Sequence, residues 1–371
     1  MEIACYGILF ASSAVLVLIF VLLRISLQRL RIRRSDMVSS DIPTISLCIP
    51  ARNEKHALSE CLERVLASDY PKLEVLVLDD NSQDDTSIII KSFAHAGVRF
   101  IPGKPLPRGW LGRNYALDTL AREASGTHVV FMDVDTHITP RTISQLVGYG
   151  QSEKKDMISV IPRRYDTYRA NVLFGTLRYF WQCIFGQIGR VTASGSLWMI
   201  KRNLLLGLLD RISEFKRSVE PESALARSGI TYNCIISDEV LGVGYEKRWK
   251  SQLKTSQRLL YPLFGKNILG FIGGFLLFLL LSAPILFVVA GVFGWNDIHT
   301  IGAVILLGYG TVYAFYLKAV WVKRWWLGIV LWPYVSLQEF ILFIASAWGY
   351  GFKNITWKDR SIYTGMEETK A

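Results

Sequence analysis

The chain has 371 residues, of which 51% are hydrophobic and only 20% charged, with 42 basic against 31 acidic side chains and a formal net charge of +11. So low a charge content at this length argues against a wholly water-exposed protein and for membrane-embedded segments. Much of the positive excess lies beside apolar stretches, and no helix-turn-helix, zinc or RNA-binding signature accompanies it. Attraction to anionic headgroups therefore explains the charge, and no nucleic-acid partner is expected.

Residues 5–23 carry no charge over 19 positions, about the length of one bilayer crossing. Arg24, Arg29, Arg31, Arg33 and Arg34 follow, whereas only Glu2 precedes. The positive-inside rule then places the N-terminus outside and the next domain in the cytoplasm. A cleaved signal peptide is the competing reading, but it lacks a basic start and a small-residue cleavage site. The five cysteines (Cys5, Cys48, Cys61, Cys183 and Cys234) show no paired spacing, as a reducing compartment allows.

From residue 45 to about 161 short apolar runs alternate with helical patterns. Strands are predicted at 45–49, 73–78, 98–101 and 128–132. Helices are predicted around Leu58, Leu62, Val65 and Leu66, at 84–96 and at 113–124. This alternation with continuous apolar strands predicts a mostly parallel sheet covered on both faces, with ligands bound beyond the carboxyl ends of the strands.

Polar groups gather at those ends. Pro50-Ala51-Arg52-Asn53-Glu54 follows the first strand, and Asp79-Asp80-Asn81-Ser82-Gln83-Asp84-Asp85-Thr86 the second. Asp133-Val134-Asp135 follows the fourth. Turn and capping chemistry explains any one of them alone, with Ser82 or Asp84 as an N-cap. Three on one sheet edge point to a ligand. Asp133 and Asp135 project to the same side of an extended segment, which suits a hard divalent cation held together with a diphosphate. No G-x-G-x-x-G follows the first strand and no G-x-x-x-x-G-K-[ST] occurs, which argues against a dinucleotide-dependent dehydrogenase or a P-loop enzyme.

Residues 168–190 are too interrupted by Arg169, Arg178 and Arg190 to span a bilayer. Their aromatics (Phe174, Tyr179, Phe180, Trp181 and Phe185) with peripheral cations predict an amphipathic helix in the membrane interface, part of an acceptor entrance. Packing in a domain core is the alternative. Three later apolar blocks, 268–293, 300–321 and 327–349, are linked by short joins such as Trp295-Asn296-Asp297 and predict a compact helical cluster. The last holds Pro333, Gln338 and Glu339, awkward in hydrocarbon, which predicts a kinked span or a re-entrant segment. Basic residues flank it on both sides (Lys323, Arg324; Lys353, Lys358, Arg360), so charge leaves the side of the tail open.

The ordered set Pro50 to Glu54, Asp79-Asp80-x-Ser82-x-Asp84-x-Thr86 and Asp133-x-Asp135 resembles the nucleotide-sugar-binding half of family-2 glycosyltransferases, which have a GT-A fold. Pro105-Leu106-Pro107-Arg108-Gly109-Trp110-Leu111-Gly112-Arg113-Asn114-Tyr115-Ala116-Leu117 resembles the P-L-P-x-G-W-x-G-K-x-x-A segment of membrane-bound, lipid-directed members, including carotenoid, hopanoid-associated and ceramide glucosyltransferases. The closing stretch from Ile355 to Tyr363 is similar to their W-[RK]-G-R-x-Y tail, whereas between 160 and 260 the resemblance is loose. Arg113 stands where those proteins usually have Lys; a cation near the diphosphate is kept, though the two side chains are not interchangeable.

The resemblance implies that Pro50, Arg52 and Glu54 border the uracil and ribose of a UDP-sugar, and that Asp79 or Asp80 accepts a hydrogen bond from the uracil ring. It further implies that Arg113 and Asp133 face the ribose and diphosphate, and that Asp135 with Asp133 ligates Mg²⁺ or Mn²⁺. His137 is expected to be a solvated loop histidine. The acceptor hydroxyl needs a general base, which such enzymes take from an E-D-x-x-L-[AG] segment. Two stretches match it imperfectly. Glu220-Pro221-Glu222-Ser223-Ala224-Leu225-Ala226 puts Glu222 at the Asp position, and Ser237-Asp238-Glu239-Val240-Leu241-Gly242 puts Asp238 there. Glu222 is preferred, with Asp238 or Glu239 as the alternative. The Q-x-x-R-W of polymerising members has only a remnant in Gln257-Arg258-Leu259-Leu260-Tyr261, which favours a single transfer.

The expected molecule is a multi-pass plasma-membrane enzyme of α/β, GT-A class, with a Rossmann-like, mostly parallel sheet. Its expected parts are an N-terminal anchor (1–34), a cytoplasmic GT-A domain (35–262, including the helix at 168–190), about three membrane helices (263–350) and a polar tail (351–371). The expected reaction is inverting transfer of a hexose, glucose by the resemblance, from a UDP-sugar to a membrane lipid acceptor. Transfer to polyprenyl phosphate, an anion needing no strong base, is a second enzyme reading. A catalytically inactive membrane scaffold is the non-enzyme one, against which the intact Asp-x-Asp set argues.

Overall fold

The computed structural model describes residues 2–32, 42–164, 177–246, 249–291, 296–320, 322, 324–357 and 360–362. The expectations placed on Arg33, Arg34, residues 168–176, Trp295, Lys323, Lys358 and Tyr363 lie outside these. The described residues group into an α/β unit, from 30–163, 191–246 and the tail after 355, and a helical unit, from 2–29, 164–190 and 247–355.

The main sheet has strands β1 (Ile45–Ala51), β2 (Leu73–Asp79), β3 (Val98–Pro102), β4 (His128–Met132), β5 (Met157–Ile161), β6 (Leu197–Lys201) and β7 (Tyr232–Ile236). The helices are α1 (Glu2–Arg29), α2 (Leu58–Leu66), α3 (Thr86–Ser92), α4 (Gly112–Glu123), α5 (Thr142–Ser152), α6 (Arg178–Phe185) and α7 (Arg202–Arg211). They continue as α8 (Ser213–Arg217), α9 (Pro221–Ala226), α10 (Trp249–Leu263), α11 (Ile268–Gly291), α12 (Asn296–Ala319) and α13 (Gly328–Gly351).

Across the sheet the strands run β3-β2-β1-β4-β6-β5-β7. The β2–β3, β1–β2, β1–β4 and β5–β7 pairs are parallel. Only β6 is reversed, antiparallel to both β4 and β5. The strand order turns back between β1 and β4, so a crevice opens there at the carboxyl edge.

The continuous apolar strands are explained by burial on both faces. Ile45, Leu47 and Ile49, with Val75, Val77, Val130 and Met132, face a core completed by Leu58, Leu62 and Val65 of α2 and Leu146 of α5. The intervening Cys48, Leu76, Leu78, Val129 and Phe131 face the opposite core, with Ala116, Leu117 and Leu120 of α4 and Leu205 and Leu209 of α7. Each such aliphatic side chain contributes about 1.5–3 kcal/mol of burial free energy, so the strand edge that carries the polar loops is firmly set.

In the helical unit four helical stretches are long and apolar enough to cross a membrane: Ile3–Arg29, Ile268–Gly291, Ile298–Ala319 and Trp325–Gly351. Pro333 lies inside α13 without ending it, so a continuous helix replaces the broken, re-entrant segment. The polar residues of α13 turn inward. Glu339, 1% exposed, accepts the Leu177 N–H at 3.0 Å and the Trp181 Nε1–H at 3.0 Å. Gln338 accepts the Trp249 Nε1–H at 3.0 Å.

Of the stretch 168–190 the described part is 177–190, and in α6 Tyr179, Phe180, Trp181, Gln182, Cys183 and Ile184 are all buried, as the core-packing alternative expects for these six residues. Phe180 packs edge-on against Tyr316 and Trp181 against Phe278, while the Glu339 carboxylate satisfies the amide at the start of the helix. The described residues of 164–190 and 249–262 group with the helical unit.

Candidate active site

The first two polar loops are one structure. The Asn53 N–H donates to Ser82 Oγ at 3.0 Å, and the Gln83 N–H returns to Asn53 Oδ1 at 2.8 Å. The Glu54 N–H donates to Thr86 Oγ1 at 2.9 Å and the Lys55 N–H to Asp84 Oδ2 at 3.3 Å. Asn53 and Asn81 both take the left-handed conformation, at φ 52° each, which Asn tolerates better than most residues. Burial works against the Asp84 charge, but the Thr86 hydroxyl and amide and the Lys55 amide together hold its carboxyl below the usual range. Ser82, Asp84 and Thr86 thus join the loops.

Asp79 and Asp80 are both buried at the end of β2. Asp79 Oδ1 accepts the Ser82 N–H at 3.1 Å, and the Asp80 N–H donates to the Ala51 carbonyl at 2.8 Å. Behind them passes Gly103, where a Cβ would lie 2.4 Å from the Asp79 carbonyl oxygen. The buried Arg52 guanidinium donates to the carbonyls of Asp80 and Asn81 and so supports this turn from below.

At the end of β4 the Asp133 N–H donates to the Ser196 carbonyl at 3.0 Å and the Thr136 N–H to the Asp133 carbonyl at 3.0 Å. Into this turn reaches Arg113 from the first turn of α4. Its Nη2 donates to Asp133 Oδ1 and to the Gly195 carbonyl, each at 3.0 Å, and its Nη1 to Glu222 Oε2 at 3.5 Å. The side chains form a gradient from interior to surface: Glu222 is 1% exposed, Arg113 14% and Asp133 36%. Burial alone would weaken the Arg113 cation, but Asp133 and Glu222 more than offset this and raise its pKa, so the charge is permanent. Gly195 lets the three meet: a Cβ there would sit 2.8 Å from Arg113 Nη2 and 2.9 Å from Glu222 Oε1.

Of the two candidate base segments, the structure brings the first to Asp133. Glu222 lies in α9, and Glu220 stands at that helix's N-cap, its carbonyl accepting the Ser223 N–H at 3.1 Å. Asp238 Oδ1 instead accepts the N–H groups of Val240 at 3.1 Å and Leu241 at 2.9 Å, closing a turn. Glu239 is exposed, 3.8 Å from Arg163.

Asp135 is half-buried. Its field is felt at Cys61, whose thiol burial pushes up to about 12, and at His137. Burial and then Arg64 hold the His137 imidazole below its usual range, hence neutral near pH 7. Among the described residues no three His, Cys, Asp or Glu side chains form a ready-made metal cage. The donors that Asp133 and Asp135 offer are hard carboxylate oxygens, which fit Mg²⁺ or Mn²⁺ with phosphate oxygens and water filling the remaining positions. Asn114, 1% exposed, carried no role in the sequence reading; its only signal there was its place beside Arg113.

Residues 46–205 match the family model described as Glycosyl transferase family 2. The probable glycosyltransferase YdaM of Bacillus subtilis is 31% identical over 119 residues, which are 31% of this chain and 28% of that protein. The GalNAc(5)-diNAcBac-PP-undecaprenol beta-1,3-glucosyltransferase of Campylobacter jejuni is 28% identical over 109 residues, 29% of this chain and 34% of that one. The chain therefore spans well under half the length of these curated relatives. Among solved structures, the mannosyltransferase PcManGT from Pyrobaculum calidifontis in complex with GDP-Man and Mn²⁺ aligns over 94% of this chain and 98% of its own, with a TM-score of 0.55 at 19% identity, a likeness of fold.

Proposed function

We propose, from the match of residues 46–205 to the glycosyl transferase family 2 model and from the likeness of fold, that the chain is a membrane glycosyltransferase transferring a hexose from a nucleotide sugar to a lipid-linked acceptor. The donor in this reading is a UDP-sugar, UDP-glucose by the sequence resemblance, and the transfer proceeds with inversion. The observation that carries it is the Arg113 bridge between Asp133, at the donor edge, and the buried carboxylate of Glu222.

In an inverting displacement the acceptor oxygen forms its bond to the sugar C1 as the bond from C1 to the diphosphate oxygen breaks. The acceptor proton passes to Glu222, and the electron pair of the broken bond leaves with the nucleoside diphosphate. Pro50, Arg52, Glu54, Asp79 and Asp80 shape the nucleoside end, Arg52 through the carbonyls it holds. Arg113 keeps a fixed cation beside the leaving phosphates. A bound Mg²⁺ or Mn²⁺, held by Asp133 and Asp135, supplies further neutralisation of the charge on the leaving group.

The acceptor class in this reading is supported by the four apolar helices and by the undecaprenol-linked acceptor in the Campylobacter relative's name. The excess of arginine after the first apolar stretch supports a catalytic unit on the cytoplasmic side in this reading. Lipids extracted from cells expressing the intact chain are expected to gain one hexose per acceptor, a product absent with Asp135→Ala. Mass spectrometry with labelled nucleotide sugars reads this, and acid lability of the product separates a polyprenyl phosphate acceptor from a lipid hydroxyl.

Gly195→Ala supplies a further check. Its methyl would force the Arg113 and Glu222 groups apart, and a displacement on the order of 1 Å costs about 10²-fold in turnover. Steady-state kinetics are expected to show that loss in kcat, with the donor KM changed far less.

A further inference from the structure

The stretch from Gly109 to Asn114 runs alongside the stretch from Phe215 to Ser218, and this contact has a direction. The Asn114 carboxamide is buried and its Nδ2 donates to three backbone carbonyls: Phe215 at 2.6 Å, Ser218 at 2.8 Å and Lys216 at 3.4 Å. The Leu111 N–H adds a second bond to the Lys216 carbonyl at 2.9 Å. The Lys216 ammonium lies 5.2 Å from the centre of the Trp110 ring, and Gly109, at φ 79°, passes where a Cβ would be 3.3 Å from Arg217 Nη2. From Ser218 the chain reaches α9 in three residues. Ser218 Oγ accepts the Glu220 N–H at 3.2 Å, and Glu220 begins the helix that carries Glu222.

We propose that Asn114 is a positioning residue for Glu222, fixing the backbone from 215 to 218 so that α9 presents that carboxylate to Arg113 and the transferred proton. This rests on the assignment of Glu222 as base under the proposed function. Arg113 and Asn114 are consecutive, and together they hold the base-bearing segment twice: Arg113 by the carboxylate, Asn114 by the main chain ahead of the helix. Side-chain chemistry explains the choice of residue. Only a carboxamide of this size brings two N–H donors to converging carbonyls. Aspartate would oppose oxygen to oxygen, and leucine would leave the carbonyls without a donor in a buried place.

The test is a double-mutant cycle in the full-length protein in membranes, using UDP-glucose and a polyprenyl-linked acceptor. Asn114→Ala is expected to lower kcat by about 10²-fold, through misplacement of the base, with the UDP dissociation constant within threefold of the parent. Glu222→Gln is expected to lower it by about 10²–10⁴-fold. In the double variant the loss is expected to equal that of Glu222→Gln alone, since a displaced base that is already absent costs nothing more. Losses that multiply would overturn the positioning role while leaving the base assignment standing. Full activity of Glu222→Gln would overturn the base assignment and this inference with it. Should Asn114→Ala not fold, Asn114→Ser takes its place: it replaces the two N–H donors by one shorter hydroxyl, and it is expected to lower kcat less than Asn114→Ala with the same lack of additivity with Glu222→Gln.

Discussion

Glu222→Gln is expected to leave a folded, donor-binding protein whose turnover is lower by about 10²–10⁴-fold, the range a positioned general base supplies. The substitution keeps the volume and a carbonyl oxygen in reach of Arg113 Nη1 while removing the group that takes the acceptor proton. Because Glu222 is 1% exposed and shares the Arg113 guanidinium with Asp133, the test is best made with the amide: Glu222→Ala would leave a cavity beside a buried cation. Asp238→Ala is the control. Its carboxylate accepts two turn amides, so its loss is expected to cost about 1–3 kcal/mol of stability, seen as earlier thermal unfolding, with kcat close to that of the parent. The opposite pattern, an inactive Asp238→Ala and an active Glu222→Gln, would transfer the base to the second segment.

What could be read in advance follows from how local each signal is. Strands β1 to β4 are apolar on both faces and separated by helical stretches, so the parallel half of the sheet and its loaded carboxyl edge were legible in the chain itself. The placement of β6 between β4 and β5, and its reversal, was not. The antiparallel partners of Leu197 to Lys201 lie on strands far away in the sequence, and no nearby residue records the pairing. The packing of α6 has the same origin. An aromatic run with flanking arginines has the composition of an interfacial helix, and only the distant Phe278, Tyr316 and Glu339 record the contacts that bury its aromatic residues. Within the site, Arg113 and Glu222 are 109 positions apart. A motif comparison could offer Glu222 and Asp238 as candidates; the Asp133–Arg113–Glu222 bridge is a fact of the fold. Gly195 belongs to the same class, since its value is the side chain it lacks. Ser82 or Asp84 was expected as an N-cap, but Asp85 holds that position of α3 with no side-chain cap bond, and the amides that Ser82, Asp84 and Thr86 bind are mostly those of the neighbouring loop.

Asp135→Ala is the second large effect. It is expected to lower transfer by about 10³-fold, the equivalent of the several kcal/mol that a divalent ion contributes to a leaving diphosphate. Of the Asp-x-Asp pair it is the more informative position. Asp133 has one oxygen bonded to Arg113 at 3.0 Å, so removing it would also break the bridge to Glu222 and blur two causes. Asp135 is half-buried just beyond β4, and among the described residues no third acidic, His or Cys side chain completes a metal cage with the pair. Two carboxylates leave most positions of an octahedral ion to phosphate oxygens and water, so metal and nucleotide are expected to bind together and each poorly alone. Titration of Mn²⁺ followed by electron paramagnetic resonance is therefore expected to show tight binding to the parent protein only when UDP is present. With Asp135→Ala the UDP-dependent gain is expected to vanish while the Arg113 bridge from Asp133 to Glu222 stays untouched. If Asp135→Ala bound Mn²⁺ and UDP together as tightly as the parent, the metal would have to be held elsewhere. Should transfer instead persist with the divalent ion removed by a chelator, the charge on the leaving diphosphate would fall chiefly to Arg113, whose replacement by lysine would become the decisive variant, since a single ammonium cannot reach Asp133, the Gly195 carbonyl and Glu222 at once.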